Sequence, residues 1–154
     1  MKTLDVEIAI AGYFNYRTNM IIPNVSWGFN IHECDLLVCT KAGYLYEVEI
    51  KVSKADLIKD KEKTHKHISD KIKKLFFAIP EKLEKDIGHI PERAGILVCY
   101  EKEHKSCGKY IRVECIRWPH ENKTEKISNE DRYSLARLAA MRTWTLKRNI
   151  QKLK

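Results

Sequence analysis

The chain has 154 residues, of which 44% are hydrophobic, and this is enough for one packed domain without a disulfide or structural metal. No apolar run reaches the ~18 residues of a membrane span, and acids stand near the N-terminus where a secretory signal would be apolar. The sequence therefore predicts one domain over residues 1–154 in a cytoplasmic protein without a membrane contact.

The net charge of +8 is concentrated in two basic blocks. Residues 51–74 hold nine lysines against four acids, and residues 132–154 hold seven Lys and Arg and no acid. Two such blocks on a less charged body favour a polyanion such as DNA as partner. A solvated, lysine-rich helix face is the alternative interpretation of the same pattern.

The cysteines are odd in number and form no C-x-x-C pair; they are Cys34, Cys39, Cys99, Cys107 and Cys115. Four of them lie in apolar, strand-like runs, so we expect reduced core thiols and not a disulfide framework. The spacing of His104 and Cys107 could form half of a zinc site, but no second half with ligand spacing follows.

The first half of the chain predicts a helix, then strands. Helical spacing over residues 3–14 is carried by Leu4, Ile8, Ala11 and the pair Ile10 and Phe14. Residues 15–30 contain proline, asparagine and glycine breakers and predict a loop or irregular strand. Residues 31–39 and 44–51 predict strands, joined by a three-residue hairpin loop that ends in Gly43.

The second half alternates helices and strands. Ser53 predicts the N-cap of a charged helix over 53–64, and the apolar run 75–79, stopped by Pro80, predicts a buried strand. A short helix over 81–87 is expected to end at Gly88. Runs at 94–100 and 110–118 predict strands around a hydrophilic loop at 101–108. The last element is a helix over about 129–152, whose apolar stripe is Leu135, Leu138, Ala139 and Leu146. The order predicts an α/β domain with a mixed sheet.

The predicted hairpin brings two acids together. A loop at 41–43 pairs residues symmetrically about Ala42, so Asp35 lies opposite Glu49, and opposed residues share a face with Cβ atoms ~5 Å apart. The expected core face carries Cys34, Leu36, Val38, Tyr46, Val48 and Ile50. The polar face carries Glu33, Asp35, Glu47, Glu49 and Lys51.

Two carboxylates at this separation repel each other unless a proton or a cation lies between them. Mg²⁺ binds through one or two carboxylates together with water and substrate phosphates. The ammonium of Lys51 could then orient or activate a water that attacks phosphorus, or stabilise charge in the transition state. The alternative is an ordinary hairpin whose polar face meets solvent.

A family resemblance follows from these residues. Asp35, the triplet Glu49-Ile50-Lys51 fourteen residues later and the helix after it resemble the PD-(D/E)XK nuclease superfamily. The segments 32–37, 46–53, 56–57, 71–80 and 90–97 resemble its MmcB-like DNA-repair branch, which has small phage-borne relatives. The resemblance covers about residues 30–100, and Cys34 stands where the superfamily motif has proline.

The resemblance implies a restriction-endonuclease-like core of helix, three-stranded meander, helix and strand. It also implies that Asp35 and Glu49 bind Mg²⁺, with Mn²⁺ as a substitute, and that the backbone carbonyl of Ile50 is a further ligand. Lys51 would be the catalytic lysine. Glu7, in the first helix, fits the additional acid that the family often has, although an exposed helix-end glutamate is the alternative.

Basic side chains would contact DNA phosphates, and these are Lys54, Lys59, Lys63, Lys66, Lys71, Lys73, Lys74, Arg137 and Arg142. Asp56 and Asp60 are expected to pair with Lys59, Lys63 or neighbouring lysines, with contact to the metal cluster as the alternative. His65 and His67 are expected to lie in a solvated loop, with contact to phosphate as the alternative. Base stacking by Trp118, Tyr133 and Trp144 is conceivable, but core packing is the expectation.

The leading hypothesis is a metal-dependent DNA endonuclease in repair, recombination or phage DNA processing. A catalytically silent DNA-binding protein on the same fold and an interaction protein without a metal response are the alternatives. The DNA structure that is cut stays open. Because endonucleases that cut both strands are frequently dimers, a homodimer is a candidate assembly.

Overall fold

The computed structural model describes residues 1–25, 31–60, 67–106 and 108–153, whose strands form a single six-stranded sheet. The strands are β1 (Met20–Val25), β2 (Cys34–Cys39), β3 (Leu45–Ile50), β4 (Ile72–Pro80), β5 (Gly95–His104) and β6 (Gly108–Arg117). The α-helices are α1 (Thr3–Tyr13), α2 (Lys54–Asp60) and α3 (Asn129–Lys152), and a 3₁₀ helix spans Glu81–His89.

The strands lie in the sheet in chain order, from β1 to β6. Antiparallel pairs join β1 to β2, β2 to β3 and β5 to β6, whereas β3 to β4 and β4 to β5 are parallel. Each parallel pair needs a crossover connection, which contains α2 in the first case and the 3₁₀ helix in the second. The predicted mixed α/β sheet with a long C-terminal helix is confirmed.

The register predicted for the hairpin of β2 and β3 is also confirmed. Leu36 pairs with Val48 and Leu37 with Glu47, so the pairing is symmetric about Ala42. The turn residue Gly43 has φ +94°, a conformation that glycine adopts without steric cost.

The core face of this hairpin is buried, and so is most of its polar face, although Glu33 is exposed and Asp35 is partly exposed. Leu36, Val38, Val48 and Ile50 form the expected core with α1, whereas Cys34 packs in a separate cluster with Leu37 and Cys39. On the polar face Glu47, Glu49 and Lys51 are buried as well. An ordinary solvated face therefore does not explain these three side chains.

The buried face of α1 contains part of the predicted pattern. Ile10 is fully buried and Phe14 packs against the same cluster, as predicted, and Val6 joins them. Val6, Ile10 and Phe14 follow one another at intervals of four residues and so lie on one face of the helix. The prediction was wrong for Leu4 and Ile8, which are exposed, because apolar residues occur all round this helix and periodicity did not select the face that meets the sheet.

Four element boundaries differ from the predictions. Residues 20–25 form a regular strand because they pair with β2. Strands β5 and β6 continue to His104 and from Gly108 because their ladder runs through most of the predicted loop. Helix α2 is described only to Asp60, so the rest of 53–64 lies outside the described residues. Gly88 lies inside the 3₁₀ helix, which ends one residue later.

Helix α3 packs through fewer residues than predicted. Leu135 is buried and Leu138 and Ala139 pack beside it, but Leu146 is exposed. The prediction for Leu146 was wrong because residues 143–152 are exposed around the whole helix. The aromatic residues expected in the core are exposed too; these are Trp118, Tyr133 and Trp144.

Within the described part of the chain the cysteines are free thiols, as predicted. Cys34, Cys39 and Cys99 are buried and Cys115 is partly buried. Cys107, which was considered with His104 as half of a zinc site and disfavoured, lies outside the described residues. No helix in the described ranges is long and apolar enough to cross a membrane.

The close packing at Gly95 gives a test of the sheet geometry. A Cβ atom at this position would lie 2.7 Å from Phe76 Cδ1 and 2.8 Å from Pro119 Cδ. Gly95→Ala is therefore expected to lower the free energy of unfolding by ~1–3 kcal/mol, measured by chemical denaturation. The control is Gly12→Ala in α1, where a Cβ meets nothing within 4 Å and alanine is the better helix former. Equal stability of the Gly95→Ala protein and wild type would contradict this packing.

Candidate functional site

The candidate site lies at the end of β3, where β2 begins and α2 follows. The Asp35 carboxylate Oδ2 accepts a hydrogen bond of 2.7 Å from the backbone N–H of Ile50. The backbone N–H of Lys51 donates to the carbonyl of Ala78 on β4 at 3.0 Å. These bonds fix Asp35 and the Glu49-Ile50-Lys51 segment side by side, as the hairpin register predicted.

The ammonium of Lys51 lies among three carboxylates. Its Nζ is 2.5 Å from Glu49 Oε2, 3.0 Å from Asp60 Oδ1 and 3.7 Å from Asp35 Oδ2. Lys51 and Glu49 are only 7% and 1% exposed, whereas the Asp35 side chain is 43% exposed. The cluster therefore opens to solvent at Asp35, and its buried members interact in a medium of low polarity.

The protonation of Lys51 limits what it can do. Burial alone lowers the pKa of its ammonium, but the charges of Glu49, Asp35 and Asp60 and the hydrogen bond to Glu49 outweigh burial and raise the pKa above its usual value. Lys51 is therefore positively charged at neutral pH. It can donate hydrogen bonds to a water or a phosphate oxygen, and it is not a proton acceptor in this arrangement.

Asp60 belongs to this cluster, which the sequence did not predict. Its side chain is buried and contacts Lys51 Nζ and the His67 ring. Pairing of Asp60 with nearby lysines stays a prediction, because Lys63 lies outside the described residues. Asp56, one turn earlier, is exposed and accepts a hydrogen bond of 2.7 Å from the Ser53 hydroxyl, which in turn accepts from the Asp56 backbone N–H as an N-cap.

His67 is 2% exposed, so its predicted place in a solvated loop was wrong. Its Nδ1 is 2.6 Å from Glu47 Oε1 and its Nε2 is 2.7 Å from Asp60 Oδ2. Burial alone lowers the pKa of the ring, but the hydrogen bonds to Asp60 and Glu47 outweigh it and raise the pKa to about 9. A ring between two buried carboxylates explains both its burial and its protonation. His65 lies outside the described residues.

Glu47 is fully buried and is held on its other side by His32. His32 Nε2 lies 2.7 Å from Glu47 Oε2. Burial raises the pKa of the Glu47 carboxyl, but the hydrogen bonds from His32 and His67 lower it overall. A polar chain therefore runs from His32 through Glu47, His67 and Asp60 to Lys51. One sequence signal pointed to it, since a glutamate directly opposite the buried Leu37 needs buried partners.

Glu7 is partly buried on α1 and shares the electrostatic environment of Asp35. Burial and the negative charge of Asp35 both raise the pKa of its carboxyl. The structure thus brings the predicted additional acid toward the cluster, and its role as a ligand stays a prediction. Ile50 contributes its N–H to Asp35, and its role as a carbonyl ligand also stays a prediction.

The donor set suits a hard divalent cation. Asp35 and Glu49 offer carboxylate oxygens, the ligand type that Mg²⁺ and Mn²⁺ prefer. The Lys51 ammonium already lies near both carboxylates, so this region accommodates positive charge. Asp35 is the member of this carboxylate pair that is accessible to solvent.

The predicted DNA-contacting residues do not form one surface around this cluster. Lys59 is exposed on α2, next to Asp60, and Lys54 is exposed with its Nζ 2.8 Å from Asp86 Oδ1. Lys73 and Lys74 lie near the start of β4 and pair with Glu121 at 3.5 and 2.8 Å. Lys74 is four residues before Ala78, which places it ~13 Å along the strand from the backbone contact of Lys51.

The remaining predicted contacts have separate positions. Lys71 is partly buried beside the start of β4. On α3, Arg137 is exposed, whereas Arg142 donates a hydrogen bond to the carbonyl of Asn24 and holds the helix against β1. Lys63 and Lys66 lie outside the described residues. Lys54, Lys59 and Arg137 are the exposed members of the described set, and of these Lys54 is paired with Asp86.

No protein-family model matches the sequence, and no curated protein matches it. Among solved structures, the chain is similar to the SPO1766 protein of unknown function from Silicibacter pomeroyi. The TM-score is 0.63 at 16% sequence identity, over 99% of this chain and 91% of that chain. At this identity the likeness shows the fold alone, and it assigns no activity to the cluster around Lys51.

Proposed function

We propose that the protein is a metal-dependent DNA endonuclease that hydrolyses phosphodiester bonds in repair, recombination or phage DNA processing. One observation carries this proposal. A charged Lys51 lies between Asp35 and Glu49 at the open end of a buried polar cluster. A purely structural ion pair would gain little from burial, because desolvating the charges offsets their attraction.

The restriction-endonuclease-like core is part of the same proposal. The order of α1, the antiparallel β1–β2–β3 meander, α2 and the parallel strand β4 agrees with the order that the resemblance implies. Asp35 and Glu49 lie on adjacent strands of this unit, as the motif requires.

The residues have separate tasks in the proposed reaction. Asp35 and Glu49 would hold Mg²⁺, or Mn²⁺ in its place, with Ile50 and Glu7 as further candidates. The ion, when bound, supplies Lewis acidity and lowers the pKa of water. Lys51 donates hydrogen bonds to the attacking water or to a phosphate oxygen, where negative charge develops. Water adds to phosphorus and the P–O3′ bond breaks, which leaves a 5′-phosphate and a 3′-hydroxyl.

The partner in this proposal is DNA, and the contacts to its backbone come from exposed basic side chains. Lys59 lies on α2 directly beside Asp60, while Arg137 lies on α3. The exposed Trp118, Tyr133 and Trp144 can stack on unpaired bases. A cytoplasmic location and a homodimer belong to the same proposal.

Lys59 and Lys74 form a matched pair of lysines for testing which part of the surface binds DNA. Lys59→Gln is expected to weaken binding to all DNA sequences and to reduce the slope of log K against log salt by about 1, since one phosphate contact is lost. Lys74→Gln should leave both nearly unchanged, because Lys74 already pairs with Glu121 at 2.8 Å. Fluorescence anisotropy of a labelled duplex over a range of salt measures both. Equal losses of DNA affinity in the two variants would contradict DNA binding at Lys59 in preference to Lys74.

A catalytically silent DNA-binding protein is the second candidate, because Lys51 already neutralises part of the charge of Glu49 and Asp60. Incubating the wild-type protein with supercoiled plasmid, single-stranded DNA and a branched junction separates the two. Each substrate is incubated with the protein in the presence of Mg²⁺, Mn²⁺ or EDTA. Metal-dependent cleavage of any substrate supports the nuclease and identifies its substrate class. DNA binding without cleavage in all conditions would leave the silent protein.

A further inference from the structure

A second group of potential ligands lies behind the Lys51 cluster. His32 precedes β2, Glu47 lies in the middle of β3 and His67 follows α2, and the three donor atoms lie within 4.8 Å of one another. Glu47 and His67 are almost inaccessible to solvent, and the His32 side chain is 9% exposed. The fold brings together three residues from separate segments, each with a side chain that can bind a metal ion.

The donor set and spacing resemble those of a transition-metal site. The two ring nitrogens contact opposite oxygens of Glu47, at 2.7 Å for His32 and 2.6 Å for His67. Ligand atoms around a tetrahedral zinc ion, with bonds of ~2.0–2.1 Å, lie roughly 3.3 Å apart. Each ring nitrogen would therefore need to move less than about one ångström from its Glu47 oxygen to reach this spacing.

The surroundings of His67 favour the same interpretation. A histidine that binds metal through one nitrogen usually has its other nitrogen on a carboxylate, which fixes the ring. Here His67 Nδ1 faces Glu47, and its Nε2 is 2.7 Å from Asp60 Oδ2. Asp60 is itself held by Lys51 at 3.0 Å, so the ring orientation is set from outside the ligand group.

The neighbouring group of Glu49, Asp60 and His67 is a poorer candidate. Its donor atoms also lie within 4.8 Å of one another. However, this group shares Glu49 with the proposed Mg²⁺ site, and its Asp60 already contacts Lys51 Nζ at 3.0 Å and His67 Nε2 at 2.7 Å.

We propose that His32, Glu47 and His67 form a site for a divalent transition ion such as Zn²⁺, separate from the Asp35 and Glu49 site. Imidazole nitrogen with one carboxylate suits Zn²⁺ and Co²⁺ and not Mg²⁺, which prefers oxygen. Three protein ligands leave a fourth position for water. A bound ion would tie the segment before β2 to the segment after α2.

Metal content and spectroscopy test this site directly. The wild-type protein, stripped with chelator and reloaded, is expected to retain one Zn²⁺ per chain after gel filtration. The Co²⁺ form should show visible ligand-field bands. Zn²⁺ at 100-fold above its Kd should shift the unfolding equilibrium about 100-fold toward the folded chain. Wild-type protein that retains no Zn²⁺ and shows no Co²⁺ bands would overturn the proposal, and a protonated His67 would then balance the carboxylates.

Two ligand variants and one control variant test which residues bind the ion. His32→Gln and Glu47→Gln should each lose the bound Zn²⁺ and the Co²⁺ bands, whereas the control His120→Gln, at an exposed histidine, should keep both. Circular dichroism of the metal-free proteins checks that each variant is folded. Bands that persist in both folded ligand variants would place the ion elsewhere and overturn the proposal.

Asp35→Asn separates this site from the proposed nuclease site. It should retain Zn²⁺ and the Co²⁺ bands, because Asp35 is not among the three ligands. Loss of the bands in this variant would show that the ion occupies the Asp35 site and would contradict a separate transition-metal site. Zn²⁺ binding by a wild-type protein that cuts no DNA would leave this inference intact while the nuclease proposal fails.

Discussion

Replacing Lys51 with methionine is expected to lower the rate of Mg²⁺-dependent DNA cleavage by about 10²–10³-fold, the usual cost of losing one donor to developing charge. The same change should lower the free energy of unfolding by about 3–5 kcal/mol, because buried Glu49 and Asp60 lose their shared cation. Initial rates on plasmid and urea denaturation measure the two effects.

The matched control is Lys59→Met, which removes an exposed lysine from α2 close to the same cluster. It should unfold at nearly the wild-type urea concentration and keep the rate at saturating DNA. Cleavage by Lys51→Met at the wild-type rate would exclude Lys51 from the reaction. A loss of stability without a loss of rate would make Lys51 a structural residue only.

Replacing His67 with glutamine is expected to remove a pH dependence of stability in the metal-free protein. The pKa of His67 is raised from 6.5 to about 9 by its hydrogen bonds to Asp60 and Glu47, which outweigh its burial. The stabilisation that protonated His67 contributes is therefore fully present below the pKa of histidine in the unfolded chain, about 6.5. It is lost as pH rises through the folded-state pKa of about 9. At about 1.4 kcal/mol for each pKa unit, the loss for wild type is of the order of 3 kcal/mol.

Urea denaturation in EDTA, between about pH 6 and pH 10, tests this expectation. The difference in free energy of unfolding between wild type and His67→Gln should be largest at the acid end and should shrink toward the alkaline end. His120→Gln, at an exposed histidine, provides the control and should track wild type. A difference that stays constant with pH would mean that His67 is neutral in the folded chain.

Much of the site was predictable from the sequence because one hairpin determines it. The short loop ending in Gly43 set the register of β2 and β3, and this register brought Asp35 beside the Glu49-Ile50-Lys51 segment. Local turn chemistry and the period of two in a strand were sufficient for this inference.

The partners behind the hairpin were not predictable in the same way. Asp60 and His67 lie among lysines, and local charge pairing favoured an exposed position for both. Their burial depends on how the α2 segment packs against β3. This packing is a tertiary contact, since Asp60 and His67 lie 13 and 20 positions after Glu47 in the sequence. The one local signal was the register that places Glu47 opposite the apolar Leu37 on the same face.

The exposed end of α3 was missed for a related reason. The periodic Leu135, Leu138, Ala139 and Leu146 predict one continuous apolar stripe, but only the first three meet the sheet. Periodicity shows which face of a helix is apolar, and it does not show where along the helix the neighbouring layer ends.

The most direct test of the nuclease proposal compares wild-type protein with Asp35→Asn, purified in parallel, on supercoiled plasmid in Mg²⁺ and in EDTA. Asp35 is half exposed, and asparagine can still accept the Ile50 N–H bond, so the variant should stay folded. We predict nicked and linear products with 5′-phosphates from wild type in Mg²⁺, and none in EDTA or from Asp35→Asn. Equal cleavage by both proteins, or none by wild type on plasmid, single-stranded or branched DNA, would contradict a nuclease centred on Asp35, Glu49 and Lys51.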